Sequence, residues 1–148
     1  RFYVGNWRGT GEGKLGTSIS ERTYGFLMNE RFLQATGKDA YRADPQNPEG
    51  DTLEELAIIS FDARTSRFTL RKFLSGGWVL EFTADTVSTD PRAIQFSSSA
   101  VENIPNGWRA KQTYTQVNED EFVDTLALAA PGGDFQVYSQ SHFRRLKK

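Results

Sequence analysis

Residues 108–129 read WRAKQTYTQVNEDEFVDTLALA, and this stretch decides the fold. In its first half Trp108, Ala110, Gln112 and Tyr114 alternate with Arg109, Lys111, Thr113 and Thr115. In its second half Phe122, Asp124, Leu126 and Leu128 fall on every other position. A period of two puts each set on one face of an extended chain, so each half is a strand with one more apolar face. Asn118-Glu119-Asp120 between them is the short polar turn of a β-hairpin.

The same pattern repeats outward in both directions. Strands are expected over residues 6–12, 17–28, 31–41, 52–61, 68–74, 78–87, 92–101, 108–117, 121–129 and 134–146. Asn29-Glu30, residues 62–66, Ser75-Gly76-Gly77, Thr89-Asp90-Pro91, Pro105-Asn106-Gly107 and Pro131-Gly132-Gly133 punctuate them as turns. The segment RADPQNPEGD at 42–51 carries two prolines and reads as a loop. Helical periodicity is nearly absent, although TLEEL at 52–56 could make one turn. Successive strands joined by short turns are satisfied by an all-β, ten-stranded, antiparallel up-and-down barrel, which has no exposed edges. Residues 1–148 form one domain by length.

Composition bounds the function. Hydrophobic residues make up only 37% of the chain, yet it holds eleven Phe, five Tyr and three Trp. That balance suits a thin-walled barrel better than a thick layered core. A net charge of −1 gives no field for nucleic acid or an anionic membrane, and no basic stripe interleaves with aromatics. Basic residues cluster only at Arg144-Arg145 and Lys147-Lys148. The chain has no cysteine, so disulfides and thiolate chemistry are excluded. No apolar run approaches the ~20 residues of a membrane-spanning helix. The chain begins at Arg1; a cytoplasmic location is expected, with export after signal-peptide removal as the alternative.

The apolar phase names the inward faces. Besides Trp108, Ala110, Gln112, Tyr114 and the Phe122 set, these are Phe68, Leu70, Lys72 and Leu74; Trp78, Leu80, Phe82 and Ala84; Ile94, Phe96 and Ser98; and Phe135, Val137, Ser139, Ser141 and Phe143. Strands two to four carry no clear phase. Ten strands enclose more space than side chains fill. An interior of aromatics with a few polar groups suits a small amphipathic ligand, although the same aromatics also serve as core. Leu70, Lys72, Trp78, Leu80, Phe82, Phe96, Trp108, Gln112, Tyr114, Leu126, Ser139, Ser141 and Phe143 are the expected lining. Lys72, Tyr114 and Asp124 are the candidates for acid–base chemistry, since burial shifts the pKa of such groups. Glu54-Glu55 and residues 118–120 read as solvated charges.

Gly11-Glu12-Gly13-Lys14-Leu15-Gly16 matches the G-x-G-x-x-G string, but a phosphate loop needs a helix after it. The β-prone Thr17-Ser18-Ile19-Ser20 follows instead, so the glycines read as a thin, bending strand. His142 is the sole histidine, which removes Ser-His-Asp triads and multi-histidine metal sites. By phase it shares the polar face with Gln140 and Arg144.

Gly5-Asn6-Trp7, extended to Gly9, Gly11 and Gly13, together with residues 26–33 (FLMNERFL), Ile59-Ser60-Phe61-Asp62, Arg67-Phe68 and the terminal Phe143-Arg144-Arg145, resembles the bacterial calycin-like families. These are barrels similar to fatty-acid-binding proteins and nitrobindins. The resemblance implies that Trp7 closes the barrel base against Arg144 or Arg145, with Arg144 the preferred partner. Lys14-Leu15-Gly16 leaves no room for the helical lid of fatty-acid-binding proteins. Ser141-His142-Phe143 stands where those proteins carry their carboxylate-holding Arg-x-Tyr. Nitrobindins hold haem through a last-strand histidine, and His142 lies near that place.

The expected function is therefore binding of a small apolar or aromatic molecule inside the barrel, without a required cofactor, by a monomer or weak homodimer. The alternatives are an isomerase, cyclase or lyase acting on such a molecule, and a haem protein using His142.

Overall fold

The computed structural model describes residues 1–86 and 90–147. The predicted strand end at Val87, the turn residue Thr89 and the terminal Lys148 lie outside the described residues. Ten strands follow one another: β1 (Gly5–Gly13), β2 (Ser18–Leu27), β3 (Phe32–Tyr41), β4 (Asp51–Asp62), β5 (Arg67–Leu74), β6 (Val79–Ala84), β7 (Ala93–Glu102), β8 (Arg109–Asn118), β9 (Glu121–Ala129) and β10 (Gln136–Arg145). Each pairs antiparallel with its sequence neighbour, and β1 pairs with β10 to close the barrel. Residues 52–56 are strand, not a helical turn.

Closure depends on glycine at the β1–β10 seam. A Cβ on Gly9 would lie 2.1 Å from the His142 carbonyl oxygen, and one on Gly11 would meet the Ser141 and Ser18 hydroxyls at 2.6 Å. Only glycine lets the first strand approach the last so closely.

One end of the barrel carries the start of β1 and the β2–β3, β4–β5 and β8–β9 turns; we call it the aromatic end. The chain before β1 folds back into it. There Phe2–Tyr3, Tyr3–Phe122 and Trp7–Phe122 form edge-to-face pairs with ring centroids 4.7–5.1 Å apart, Phe2 lies tilted on Trp7 at 5.4 Å, and Phe143 stacks on Phe122 at 5.0 Å. Such pairs contribute about 0.5–1.5 kcal/mol each beyond their buried area. Trp7 donates its indole N–H to the Tyr3 carbonyl at 2.7 Å.

The arginine that packs on Trp7 is Arg145, not Arg144. Its guanidinium sits 4.2 Å from the Trp7 ring centroid and donates to the carbonyls of Phe2 (2.7 Å), Val4 (2.9 Å) and Glu119 (3.3 Å). Arg144 shares the outer face with His142, is 76% exposed, and pairs with Glu121 at 3.3 Å. Strand alternation sends the two arginines to opposite sides, and the register sets Trp7 opposite Arg145.

Two further inward assignments are corrected. The ladder between β9 and β10 shifts between Val137 and Ser139, a bulge that reverses the phase of everything before it. Val137 is therefore exposed, and Phe135 lies under the outward cations Arg109 and Lys111, with centroid distances of 5.0 and 4.6 Å. Tyr138 takes their place against the core.

Candidate functional site: an aromatic cavity beside a buried charge network

Strands two to four, silent in sequence, supply half of the barrel's polar interior. In β2 Ser18, Ser20, Arg22 and Tyr24 are buried while Ile19, Glu21 and Thr23 are not. Arg22 faces Gly37 across the β2–β3 ladder, and Gly37 faces Glu55 across β3–β4. The missing side chain at Gly37 is what admits the arginine, since a Cβ there would lie 2.6 Å from Arg22 Cδ. Arg22 Nη1 and Nη2 donate to the Asp39 carboxylate at 2.8 and 3.2 Å. Its Nε touches Glu55 Oε1 in a buried ion pair, but without the alignment of a hydrogen bond. Glu55 is thus a buried member of the network, and the expectation of a solvated charge is overturned for it.

Glu55 Oε2 receives Lys72 Nζ at 2.9 Å. Lys72 donates also to Gln112 Oε1 at 2.9 Å, and Gln112 Nε2 donates in turn to Asp124 Oδ1 and, at 3.1 Å, to the Thr125 carbonyl. Gln112 therefore relays between a cation and a carboxylate, and one amide can do this because it both accepts and donates. Burial alone would push the Glu55 carboxyl up. Lys72 and then Arg22 outweigh it and hold the group at about 2. Asp124 goes the other way: burial raises it, and the pull of Lys72 does not compensate. Burial lowers Lys72, but Glu55 and Asp124 more than restore it, so it stays a cation.

Beside this network, at the aromatic end, lies a cavity of about 310 Å³. Tyr3, Tyr24, Phe96 and Tyr114 form part of its wall, with Leu33, Ile59 and Ile94, and Phe61 and Phe68 stand half-exposed nearer the mouth. Its volume sits at the low end of small-molecule sites. Arg1, Glu30 and Arg31 border the opening, with Arg1 Nη2 on Glu30 Oε2 at 2.9 Å. The β2–β3 turn at this rim runs through three left-handed residues in succession, Met28, Asn29 and Glu30, with φ of 52°, 58° and 62°. Such strain collects where function requires a fixed loop. A second, wider hollow of about 440 Å³ is bordered by Glu54, Leu56, Phe73 and Ser75 as well as Gly37 and Glu55. It mixes inward and outward residues and opens broadly to solvent.

Of the lining expected from sequence, Phe96 and Tyr114 border the aromatic cavity. Leu70, Leu80, Phe82 and Phe143 are fully buried, and Leu126 nearly so, in the core cluster. Lys72 and Gln112 belong to the charge network. Ser141 is buried near Gly11, and Ser139 lies opposite Leu126 on the β10–β9 ladder. Trp78 and Trp108 are corrected: at 38% and 36% exposed, they sit at the ends of β6 and β8 away from the aromatic end. Alternation aims them inward, but they fall just before the first paired residues, Val79 and Arg109. Tyr3, Tyr24, Leu33 and Ile59 were missed. Tyr3 lies before the first strand, and the others lie on strands without a readable phase.

His142 does not reach the interior. It points outward between the buried Ser141 and Phe143, with Nε2 3.1 Å from Glu121 Oε2. A haem inside the barrel could not take it as a ligand. Among the described residues no three His, Cys, Asp or Glu side chains converge to hold a metal ion.

No protein-family model and no curated protein matches the chain. Among solved structures, the crystal structure of Rv2717c from Mycobacterium tuberculosis is similar over 99% of this chain and 94% of its own, with a TM-score of 0.72 and 19% identity. A protein of unknown function from the DUF3598 family of Nostoc punctiforme aligns over 98% and 97% at 8% identity, but its TM-score of 0.35 carries no weight. The mycobacterial match is a likeness of fold.

Proposed function

We propose that this chain is a calycin-like binding protein that holds a small apolar or aromatic molecule in the cavity at its aromatic end. One observation carries the reading: the barrel leaves about 310 Å³ open among aromatic rings at one end. Close packing is the rule in protein interiors, and a cavity walled by rings and open at one rim is suited to an apolar guest.

Native mass spectrometry of the protein purified from its own host tests this. A small-molecule mass carried by the wild type and lost in Ile59→Trp, which fills the cavity, is the expected result. A bare wild type, together with an amide spectrum that no apolar probe perturbs, overturns the reading. Tryptophan emission is a mixed reporter, because Trp78 and Trp108 lie away from the cavity while Trp7 stands at the aromatic end.

A second reading, an isomerase, cyclase or lyase, draws on the position of Tyr114. It borders the cavity and feels the charge of Asp124. Loss of turnover with retained binding in Tyr114→Phe would favour it.

A further inference from the structure

The cavity's inner wall has a polar feature that an apolar guest alone would leave unused. Tyr3 packs its ring 5.6 Å from Tyr24 and 6.0 Å from Tyr114, so three phenols crowd one side of the cavity. Among the described residues no protein group hydrogen-bonds to the three hydroxyls, and their oxygens are not sealed off, since Arg22 Nε is there the one buried side-chain polar atom without a partner. A guest that fills the cavity excludes water from these hydroxyls, and leaving each unpaired then costs about 1–3 kcal/mol, so the guest must answer them. Phenols are better donors than acceptors, because the ring withdraws the oxygen lone pair. Burial, with Asp124 nearby, also holds the Tyr3 hydroxyl protonated up to about 12 and Tyr24 well above its ordinary value.

The charges around the cavity set the guest's own charge. On the interior side, two cations, Arg22 and Lys72, face three carboxylates, Asp39, Glu55 and Asp124. Asp124 commits only Oδ1 to Gln112, and it is the carboxylate whose charge bears on all three phenols. A carboxylate guest would add a second anion beside a carboxyl whose own ionisation burial already opposes. At the mouth Arg1 and Arg31 outnumber Glu30, which is already paired, and this disfavours a cation.

We infer that the guest is a neutral aromatic molecule bearing an oxygen acceptor, a ketone, quinone or aldehyde, whose oxygen is bound by the Tyr3, Tyr24 and Tyr114 hydroxyls. The inference rests on the cavity-binding reading above and specifies its ligand class. It also gives Tyr24 and Tyr114 a role in specificity.

The test is calorimetric titration of the whole protein with four probes sharing a naphthalene body: 2-acetonaphthone, 2-ethylnaphthalene, 2-naphthoate and a naphthylmethyl-trimethylammonium salt. The ketone should bind about tenfold more tightly than the hydrocarbon, as one or two net hydrogen bonds allow. The carboxylate and the ammonium should bind more weakly than the hydrocarbon. In the triple variant Tyr3→Phe/Tyr24→Phe/Tyr114→Phe the ketone should fall to the hydrocarbon's affinity while the hydrocarbon is unaffected; the single variants should fall part of the way. Equal wild-type affinity for ketone and hydrocarbon, a ketone advantage that survives the triple substitution, or preference for either charged probe overturns the inference. In each of those cases hydrocarbon binding leaves the cavity reading standing. If none of the four binds, the inference falls as well, and the host-derived mass alone then judges the cavity reading.

Discussion

The two halves of the barrel interior solve opposite problems. In the charge network, Arg22, Asp39, Glu55, Lys72 and Gln112 answer one another through short contacts, and little is left over. At the aromatic end the walls are mostly apolar, three phenol hydroxyls have no protein partner among the described residues, and space remains. A network in which most groups are satisfied is a fixture, because changing it leaves bare charge in a low-dielectric interior. A cavity with unanswered donors is a place for something else. The difference separates residues that hold the barrel together from residues that can meet a guest, although both kinds are buried to a similar degree.

The largest expected effect tests the fixture. Lys72→Met should destabilise the barrel by about 3–5 kcal/mol in urea denaturation, because it removes one partner of a buried ion pair and leaves the Glu55 carboxylate to Arg22 alone. A loss under 1 kcal/mol would mean that the network is dispensable.

The next effect separates neighbours in sequence. Arg145→Ala removes charged hydrogen bonds to the Phe2, Val4 and Glu119 carbonyls and should cost about 2–3 kcal/mol. Arg144→Ala, on the outer face, should stay within about 0.5 kcal/mol of wild type. Equal costs would refute the assignment of Arg145 to Trp7.

The smallest effect is a pH dependence of opposite sign at two carboxyls. Glu55 has its folded pKa lowered from 4.5 to about 2, so its contribution is present above 4.5 and is lost as the pH falls towards 2. Asp124 has its folded pKa raised from 3.8, so its contribution is present below 3.8 and is lost as the pH rises through the folded value. Asp124→Asn should therefore abolish a loss of stability on the rising side while the acid loss below 4.5 remains. An unchanged profile in Asp124→Asn would show that the carboxyl is not perturbed.

The barrel was legible wherever large apolar residues alternate with charged ones. Leu80 and Phe82 against Glu81, or Phe122 and Leu126 against Thr125, leave no doubt about phase. Lys72, Gln112 and Asp124 were placed inward by riding on such strands. The charge network's other half was illegible for a physical reason. In β2 and β4 the inward positions hold Arg22 and Glu55, so polarity, the usual signal of the wet face, pointed the wrong way. Gly37 was the one trace, a strand glycine whose use is to make room for a neighbour's side chain. The bulge after Val137 left no mark in composition at all. Tyr3, in a segment without strand pattern, became part of the cavity only through the fold-back that Arg145 secures.

The closing seam has a consequence for how the molecule is made. The bond from Arg145 to the Val4 carbonyl joins groups 141 residues apart, and the β1–β10 ladder spans a similar separation along its length. Loop-closure entropy delays contacts so distant in sequence. A ribosome must therefore release nearly the whole chain before the first strand finds its mate, and until then the nascent sheet carries two open edges.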